Sequence, residues 1–589
     1  MTNCEWYAKK FSAGDMTGEG SQKILGRPAV HPVELMVRET TQNSWDARLA
    51  QRAPGYRVDY RRLSDAQRRV IIERVLTAAA PGVDYRSLLE INPWVFEIVD
   101  WNTKGLGGPT RADQQPPAGQ PTDFIDFVLK MGAQRDTELG GGSYGFGKTA
   151  SYVMSRCDTI LIWTRCRVLG KVQDRFIASA LGNEFSIGKS AYTGRQWWGR
   201  VEDDRPEPIV GEAAKALGEA TFRHRYGGSQ TGTAIMVLAA DHPHDADWTP
   251  DAVGRQLRDA ILWNLWPKMV PDATGRPTMD LQAVLDGEPL DIPDPREHPV
   301  LQGFSTALTA VRETQAGRNH NEINTEVVEI RQQRPKRLTG HMAIHRWPSL
   351  GDHAVEEGRP GFPTASVALM RHEAELLVRF IDHPPLPGAW QWAGVFKPVS
   401  DCDDAFTDAE PPSHDDWVPA NVEDKTHRSI VKVSLREINK DVPKAILNPA
   451  STTAAPVGTA QLATALADLA APMGFGPSAN KPSSRTTGKR SGRQPKVSIG
   501  RVVRGDAQGG RVQFAVELLA EVATIARLDV KVSIDGGSEE PEPGTVILRS
   551  MSGNEIEPEI DIPSTGTWVT IDTESALAIE AKAVAVVNP

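Results

Sequence analysis

A chain of 589 residues is too long for a single hydrophobic core and implies several domains. With 24% charged residues, 40% hydrophobic residues and a net charge of −10, it has no global attraction to nucleic acid, and no apolar run approaches the roughly 20 residues that span a bilayer. The four cysteines, Cys4, Cys157, Cys166 and Cys402, form no CxxC pair, and the opening MTNCEWYAKKFSAGD lacks the apolar segment of a signal peptide, so a cytoplasmic protein without a zinc ribbon is expected.

The first strong signal in chain order is residues 33–47, VELMVRETTQNSWDA, a helix on which Glu39, Asn43 and Asp46 fall on one face beside Leu35, Met36 and Ala47. A carboxylate and an amide among inward-facing apolar residues need a partner, because a buried unpaired polar group costs roughly 1–3 kcal/mol. That partner is a ligand or another part of the protein. Residues 48–74 read as a polar, Arg-rich segment, followed by a helical stretch and by VFEIVD (95–100), a buried strand ending in an acid. Directly after it, WNTKGLGGPT offers Gly105, Gly107 and Gly108 for close backbone approach to a ligand. Residues 111–120, rich in Pro, Gln and Gly, read as a loop or lid. GGGSYGFGKTA (140–150) is the densest glycine cluster and runs into a helix-like TASYVMSRC. Strand-like runs follow at 159–164, 175–180 and 233–239, the last immediately after GGSQTG.

As an ordered set, these boxes resemble the GHKL superfamily over residues 33–238. That superfamily takes in gyrase B, the ninety-kilodalton heat-shock chaperones, histidine kinases, MutL and the MORC ATPases. The resemblance implies a Bergerat fold, an α/β sandwich with a mixed sheet covered on one face by helices, that binds ATP with Mg²⁺. It assigns Glu39 as the general base for the attacking water and Asn43 as the Mg²⁺ ligand, with Asp46 and Ala47 closing the same box. Asp100 would accept a hydrogen bond from the adenine amino group and Thr233 would support the same base. The loop Gly142, Ser143, Tyr144, Gly145, Phe146, Gly147, Lys148 and Thr149 would offer backbone N–H groups and a lysine to the phosphates. The chain departs from the family's Asp-x-Gly-x-Gly box: positions 102 and 104 are Asn102 and Lys104, with glycines delayed to Gly105 and Gly107. Asn tolerates positive φ, so Asn102 can stand in for a glycine. The same GSYGFGKT stretch also matches the P-loop pattern GxxxxGK[ST], but the polar AQRDTEL before Gly140 is no strand entering a P-loop.

Beyond these boxes, PDAVGRQLRDAILWNLWP (250–267) reads as a core helix stopped by Pro267. Short strands and helices follow from Met279, where gyrase- and MutL-type members carry a transducer domain that sends a lysine to the γ-phosphate. Lys336 and Lys397 are candidates, with Arg371 a third. His414, Asp415 and Asp416 in DAEPPSHDDW, like HPHDAD at 242–247, are either metal-type ligands at short spacing or capped turns. Residues from Asp424 read as a helix packing back on the transducer.

Residues 448–496 read as a flexible linker whose end carries Lys481, Arg485, Lys489, Arg490, Arg493 and Lys496 without an acid, either a site for nucleic-acid phosphates or a solvated tether. Alternation from Val497 onward reads as an antiparallel β-sandwich serving protein interaction. The expectation is an α+β multidomain chain: a Bergerat ATP-binding domain (1–248), a transducer-like α/β domain (249–447), the basic linker (448–496) and the β-sandwich (497–589). Its expected activity is that of an ATP-gated dimeric clamp, chaperone-like or DNA-associated, with bacterial antiviral defence as one setting and no membrane partner. A nucleotide-gated scaffold with little turnover is the alternative.

Overall fold

Residues 94–101, WVFEIVDW, alternate two buried sets, with Phe96 and Ile98 in one core and Val95 and Val99 in another. A strand apolar on both sides must be covered on both sides. In the computed structural model it is β3 of a mixed sheet. The structure describes every residue except 1, 13–30, 51, 112, 114–118, 131–150, 242–247, 321, 323, 349–364, 387–389, 412–413, 448–496, 505–510, 521–523, 535–536, 540–544, 551–553, 564–566, 575–577 and 586–589. The sheet's strands are β1 (Glu5–Lys10), β2 (Gly55–Arg62), β3 (Trp94–Trp101), β4 (Thr159–Val168), β5 (Lys171–Leu181), β6 (Phe185–Ile187), β7 (Ser190–Glu202), β8 (Arg205–Glu207), β9 (Ile209–Val210), β10 (Gly232–Val237), β11 (Asp280–Leu285) and β12 (Glu288–Pro289). Among the described residues their order is β1-β7-β5-β4-β10-β3-β2-β11-β12, with β6 and β8 on β7 and β9 on β5. β11 runs parallel to β2, whereas β10 is antiparallel to both β3 and β4.

Helix α1 (Pro32–Asp46) starts at His31, whose ring nitrogen accepts from Val33 N at 3.3 Å, and at a proline suited to the first turn. Its Val33, Met36 and Val37 pack on Phe96, Ile98, Ile162 and Ile235. The opposite face is not open, as a one-sided sandwich would have it. It carries α2 (Asp65–Val70), which runs on into a π turn at Ile71–Val75, together with α3 (Tyr85–Ile91) and α4 (Glu212–Thr221). There Ile71, Leu89 and Leu217 bury Val95, Leu161 and Trp163. The expected Arg-rich polar segment contains β2, whose Tyr56, Val58 and Tyr60 face the α1 core while charged side chains alternate with them.

Helix α5 (Pro250–Met269) does not open a separate domain after residue 248. Its Val253, Leu257 and Ile261 complete the first core, and β11 after it joins the first sheet beside β2. Pro267 lies inside α5 rather than ending it, close enough to the C-terminus to remove only a late-turn N–H. Leu262, Trp263 and Trp266 of the same helix pack with α6 (Leu301–Gln315) on a second sheet. That sheet is formed by β13 (Thr325–Gln333), β14 (Lys336–Pro348), β15 (Ser366–Met370), β16 (Leu377–Asp382) and β17 (Trp390–Pro398), in the order β13-β14-β17-β15-β16. Its other face is covered by α7 (Asp403–Asp408) and α8 (Lys425–Leu447) through Phe406, Ile430, Val431 and Ile438. No helix among the described residues is long and apolar enough to cross a membrane.

The chain divides into two compact units, Met1–Ala460 and Gln461–Pro589. The second contains β18 (Val497–Arg504), β19 (Arg511–Ala520), β20 (Thr524–Ile534), β21 (Gly537–Glu539), β22 (Val546–Ser550), β23 (Glu559–Ile562), β24 (Thr567–Glu574) and β25 (Ala578–Ala585). One antiparallel sheet is β18-β19-β24-β22; the other is β21-β20-β23, with β25 also on β20. Val516, Leu518, Leu528, Ile562 and Ile571 form their shared core, which makes this unit an antiparallel β-sandwich.

One charge pair holds the first sheet's second face. Arg61 Nη2 and Nε lie 2.5 and 2.9 Å from Glu97 Oε2, both side chains are fully buried, and Arg223 N and His224 N donate to Glu97 at 3.0 and 2.9 Å. Burial alone would raise the Glu97 pKa; Arg61 and the two N–H donors outweigh it and lower it. A lowered carboxylate stabilises above its unfolded pKa, and that stability is lost as pH falls through the folded value. Glu97→Ala strands a buried guanidinium and is expected to cost about 3–5 kcal/mol and to remove part of the acid-dependent loss. Urea unfolding followed by tryptophan fluorescence checks this in the full chain, because every tryptophan except Trp568 lies in the first unit.

Candidate functional site

The same alternation that buries β3 decides where its acid points. Asp100 follows Phe96 and Ile98 on the face toward α1, and Thr233 of β10 follows the matching phase with Ile235. Thr164 of β4 is the register partner of Thr233, and their hydroxyls lie 3.1 Å apart. Asp100 and Thr233 floor a cleft of about 510 Å³, counted with its open mouth, walled by Asn43, Ser44 and Ala47 of α1 and by Leu106, Phe127 and Ile235.

Asp100 Oδ1 accepts from Thr233 N at 3.0 Å and from Thr103 Oγ1, and Oδ2 accepts from Ser44 Oγ at 3.4 Å. Burial pushes its pKa up to about 6 against those three hydrogen bonds. The surrounding backbone leaves little room: a Cβ on Gly232 would sit 2.2 Å from Asp100 O, and one on Gly105, at φ 65°, would sit 2.3 Å from Arg165 O. Asn102 has φ 59°, the left-handed conformation a glycine would hold, and its Nδ2 donates to Ala53 O at 3.2 Å. Gly107 has no such demand, and Lys104 is exposed.

Glu39 lies along α1 from this cleft and lines a second one with Arg38, Gln42, Asn264, Arg371, Glu410 and His414. It is 7% exposed, and no described residue donates a hydrogen bond to it. Burial raises its pKa, His414 and Arg38 pull it down, and Asp46 and Glu410 add to the rise. Arg38 ties α1 to its surroundings, donating to Asn264 Oδ1 at 2.8 Å and to His414 O at 2.8 Å. Asn43 and Asp46 are half-buried, Asn43 on the rim of the Asp100 cleft.

The three transducer-type candidates separate. Lys336 is exposed at the turn joining β13 to β14 and lines neither cleft, because the tight Gln333–Lys336 pairing places it at a hairpin end. Lys397 is buried and spent on Glu375 at 2.5 Å. Arg371 reaches the Glu39 cleft while bonded to Asp403 at 3.1 Å and Glu410 at 3.3 Å. Gly142, Ser143, Tyr144, Gly145, Phe146, Gly147, Lys148 and Thr149 lie outside the described residues, as do Lys481, Lys496 and the basic run between them. Phe124 and Val128, which follow the expected loop at 111–120, are buried in the first core. Among the described residues no three His, Cys, Asp or Glu side chains are placed to hold a metal. Sequence reasoning missed Thr103, Ser44 and Arg38. Only the unassigned HDD motif pointed to His414.

No family model matches the chain, and no curated protein is similar to it. Among solved structures, the B-subunit of the DNA gyrase from Myxococcus xanthus matches over 72% of this chain and 92% of that chain, at 7% identity and a TM-score of 0.29. A likeness at that level identifies neither a family nor a function.

Asp100 has a measurable signature of its own. A carboxyl whose folded pKa is raised adds stability that is complete below its unfolded pKa, near 3.8, and lost as pH rises through about 6. Between pH 4 and 7 the unaltered chain is expected to lose on the order of 2 kcal/mol relative to Asp100→Asn, which does not ionise. Paired urea titrations across that range measure the difference.

Proposed function

We propose that this chain binds ATP with Mg²⁺ and hydrolyses it as a GHKL-type ATPase. The observation that carries the reading is the Asp100 carboxylate: two protein donors hold Oδ1, whereas Oδ2 has only the 3.4 Å contact to Ser44 and can accept from a ligand. An adenine ring brings such a donor in its exocyclic amine, and Leu106, Phe127 and Ile235 offer it apolar walls. Asn43, on the rim, would give a neutral oxygen to Mg²⁺, which when bound neutralises phosphate charge. The donor set fits that ion: the Asn43 amide faces the cleft and is engaged by no described side chain.

Glu39 takes the role of general base. Its raised pKa suits a group that must receive a proton from water, and the absence of a described donor leaves its oxygens able to accept one. Residues 142–149 would bind the phosphates. ATP-gated homodimerisation, a chaperone-like or DNA-associated role in bacterial defence, a protein partner for the β-sandwich and nucleic acid at 481–496 belong to the same proposal. So does a transducer-like role for the second sheet. Burial of Glu39 also favours a second reading, a nucleotide-gated scaffold with little turnover, because a raised pKa leaves the base protonated more of the time.

Calorimetric Mg-ATP binding alongside phosphate release separates these readings. Asp100→Asn is expected to weaken ATP binding about 10- to 100-fold, the effect of one hydrogen bond to a charged group. Glu39→Ala is expected to keep ATP and lose phosphate release by roughly 100-fold or more; unchanged release would favour the scaffold. Should only Lys148→Ala abolish binding, residues 142–149 act as a P-loop instead. Because the amine needs an ionised acceptor, ATP affinity is expected to rise with pH through about 6 in the unaltered chain and to lose that rise in Asp100→Asn.

A further inference from the structure

His414 belongs to a motif that the proposed reaction leaves without a role. It follows α7 in a left-handed conformation, φ 50°, which non-glycine residues adopt infrequently. Its Nδ1 lies 2.7 Å from Glu410 Oε2, and both side chains are largely buried. Glu410 is itself fixed by Arg371 Nη1 at 3.3 Å and by the Trp417 indole N–H at 3.4 Å. With Nδ1 turned to Glu410, the other ring edge faces α1, where Nε2 is 3.5 Å from Gln42 Nε2. The backbone completes the grip, since His414 O accepts from Arg38 Nη2 at 2.8 Å. Arg38 and Gln42 flank Glu39 along α1, and these three line one cleft with Arg371, Glu410 and His414.

We propose that His414, oriented by Glu410, is a positioning residue that, through its contacts to Arg38 and Gln42, holds the turn of α1 that carries Glu39 in place for hydrolysis. The inference rests on the ATPase reading. A carboxylate that fixes one imidazole nitrogen defines the direction of the other, the same logic by which outer groups orient an imidazole in catalytic triads and metal sites. The electrostatics agree. Burial alone would lower the pKa of His414, and Glu410 and Glu39 outweigh it to raise it. Arg38 lowers the Glu39 pKa from the same side, and Arg371, paired with Asp403 and Glu410, lowers that of His414 without reversing its rise.

Two substitutions split the ring into its edges. In His414→Asn the amide can occupy the Nδ1 position and keep the Glu410 contact, whereas in His414→Gln it reaches the Nε2 position. For His414→Asn, kcat for phosphate release is expected to fall about 10- to 100-fold with Mg-ATP affinity within about twofold of normal. His414→Gln, which keeps the Nε2 edge toward Gln42 without the Glu410 contact, is expected to recover only part of that loss. In a Glu39→Ala background, His414→Asn is expected to change neither residual release nor ATP affinity, because the base it positions is gone. Three results would overturn the inference: a normal kcat in His414→Asn, a fall in ATP affinity matching the fall in kcat, or a further loss in the Glu39→Ala background. Thermal unfolding of each variant identifies a folding failure; if His414→Asn does not fold, Glu410→Gln takes its place, with the same expected split between kcat and affinity. Mg-ATP binding without phosphate release by the unaltered chain would instead remove the ATPase reading itself.

Discussion

A carboxylate at the end of a buried strand is tolerated only where hydrogen-bond donors reach it, and Asp100 is met from three separate parts of the chain. The Thr233 amide arrives only if β10 holds its register against β3. Thr103 arrives only if the chain turns back after Trp101, which the positive φ of Asn102 provides. Ser44 arrives only if α1 lies over this end of the sheet, where its hydroxyl also donates to Thr40 O at 2.8 Å. Strand register, turn geometry and helix docking are therefore conditions on one side chain. Gly232 belongs among them, because any Cβ there would collide with the Asp100 carbonyl.

Two acids three residues apart on β3 show how differently one strand can treat a carboxylate. Glu97 points to the second face and meets the Arg61 guanidinium and two backbone donors, so its charged form is favoured despite complete burial. Asp100 points to the first face and meets neutral donors alone, so burial wins and its pKa rises. Both are hydrogen-bonded, but only Glu97 has an opposite charge in contact. The difference separates a carboxylate that binds the sheet together from one that remains able to answer a ligand.

Much of the first unit was readable because its signals are periodic. The α1 stretch, the two-sided apolar run of β3, and β4 and β10 follow from burial patterns, and so does the β-sandwich after Val497. β2 was not readable as a strand, because Arg57, Asp59 and Arg61 interrupt Tyr56, Val58 and Tyr60, and their tolerance depends on Glu97 and Arg223 from elsewhere in the chain. The same limit applies to the site. Asp100 and Thr233 sit on strands whose phase is visible in the sequence, whereas Thr103 depends on how a turn closes. His414 contacts Gln42 across 372 positions, a separation over which no local pattern carries information. The long α5 was recognisable as a helix, but not as one shared by two sheets, since its Leu262, Trp263 and Trp266 look like any other core residues.

The two clefts along α1 differ in what builds them. The Asp100 cleft takes its walls from α1, from strands of the first sheet and from the segments around Leu106 and Phe127. The Glu39 cleft adds Asn264 of α5, Leu377 and Val378 at the start of β16, and Arg371, Glu410 and His414. On the proposed reading, nucleotide affinity depends mainly on the first sheet, while the competence of the base also depends on how the second sheet is docked. A ligand can shift such docking only by binding one arrangement better than another. Arg371 is where that difference can arise, because it lines the Glu39 cleft while its guanidinium is bonded to Asp403 and Glu410, the latter being the residue that orients His414. A new anionic partner for Arg371 would compete with Glu410 and change the support of His414 in the same event.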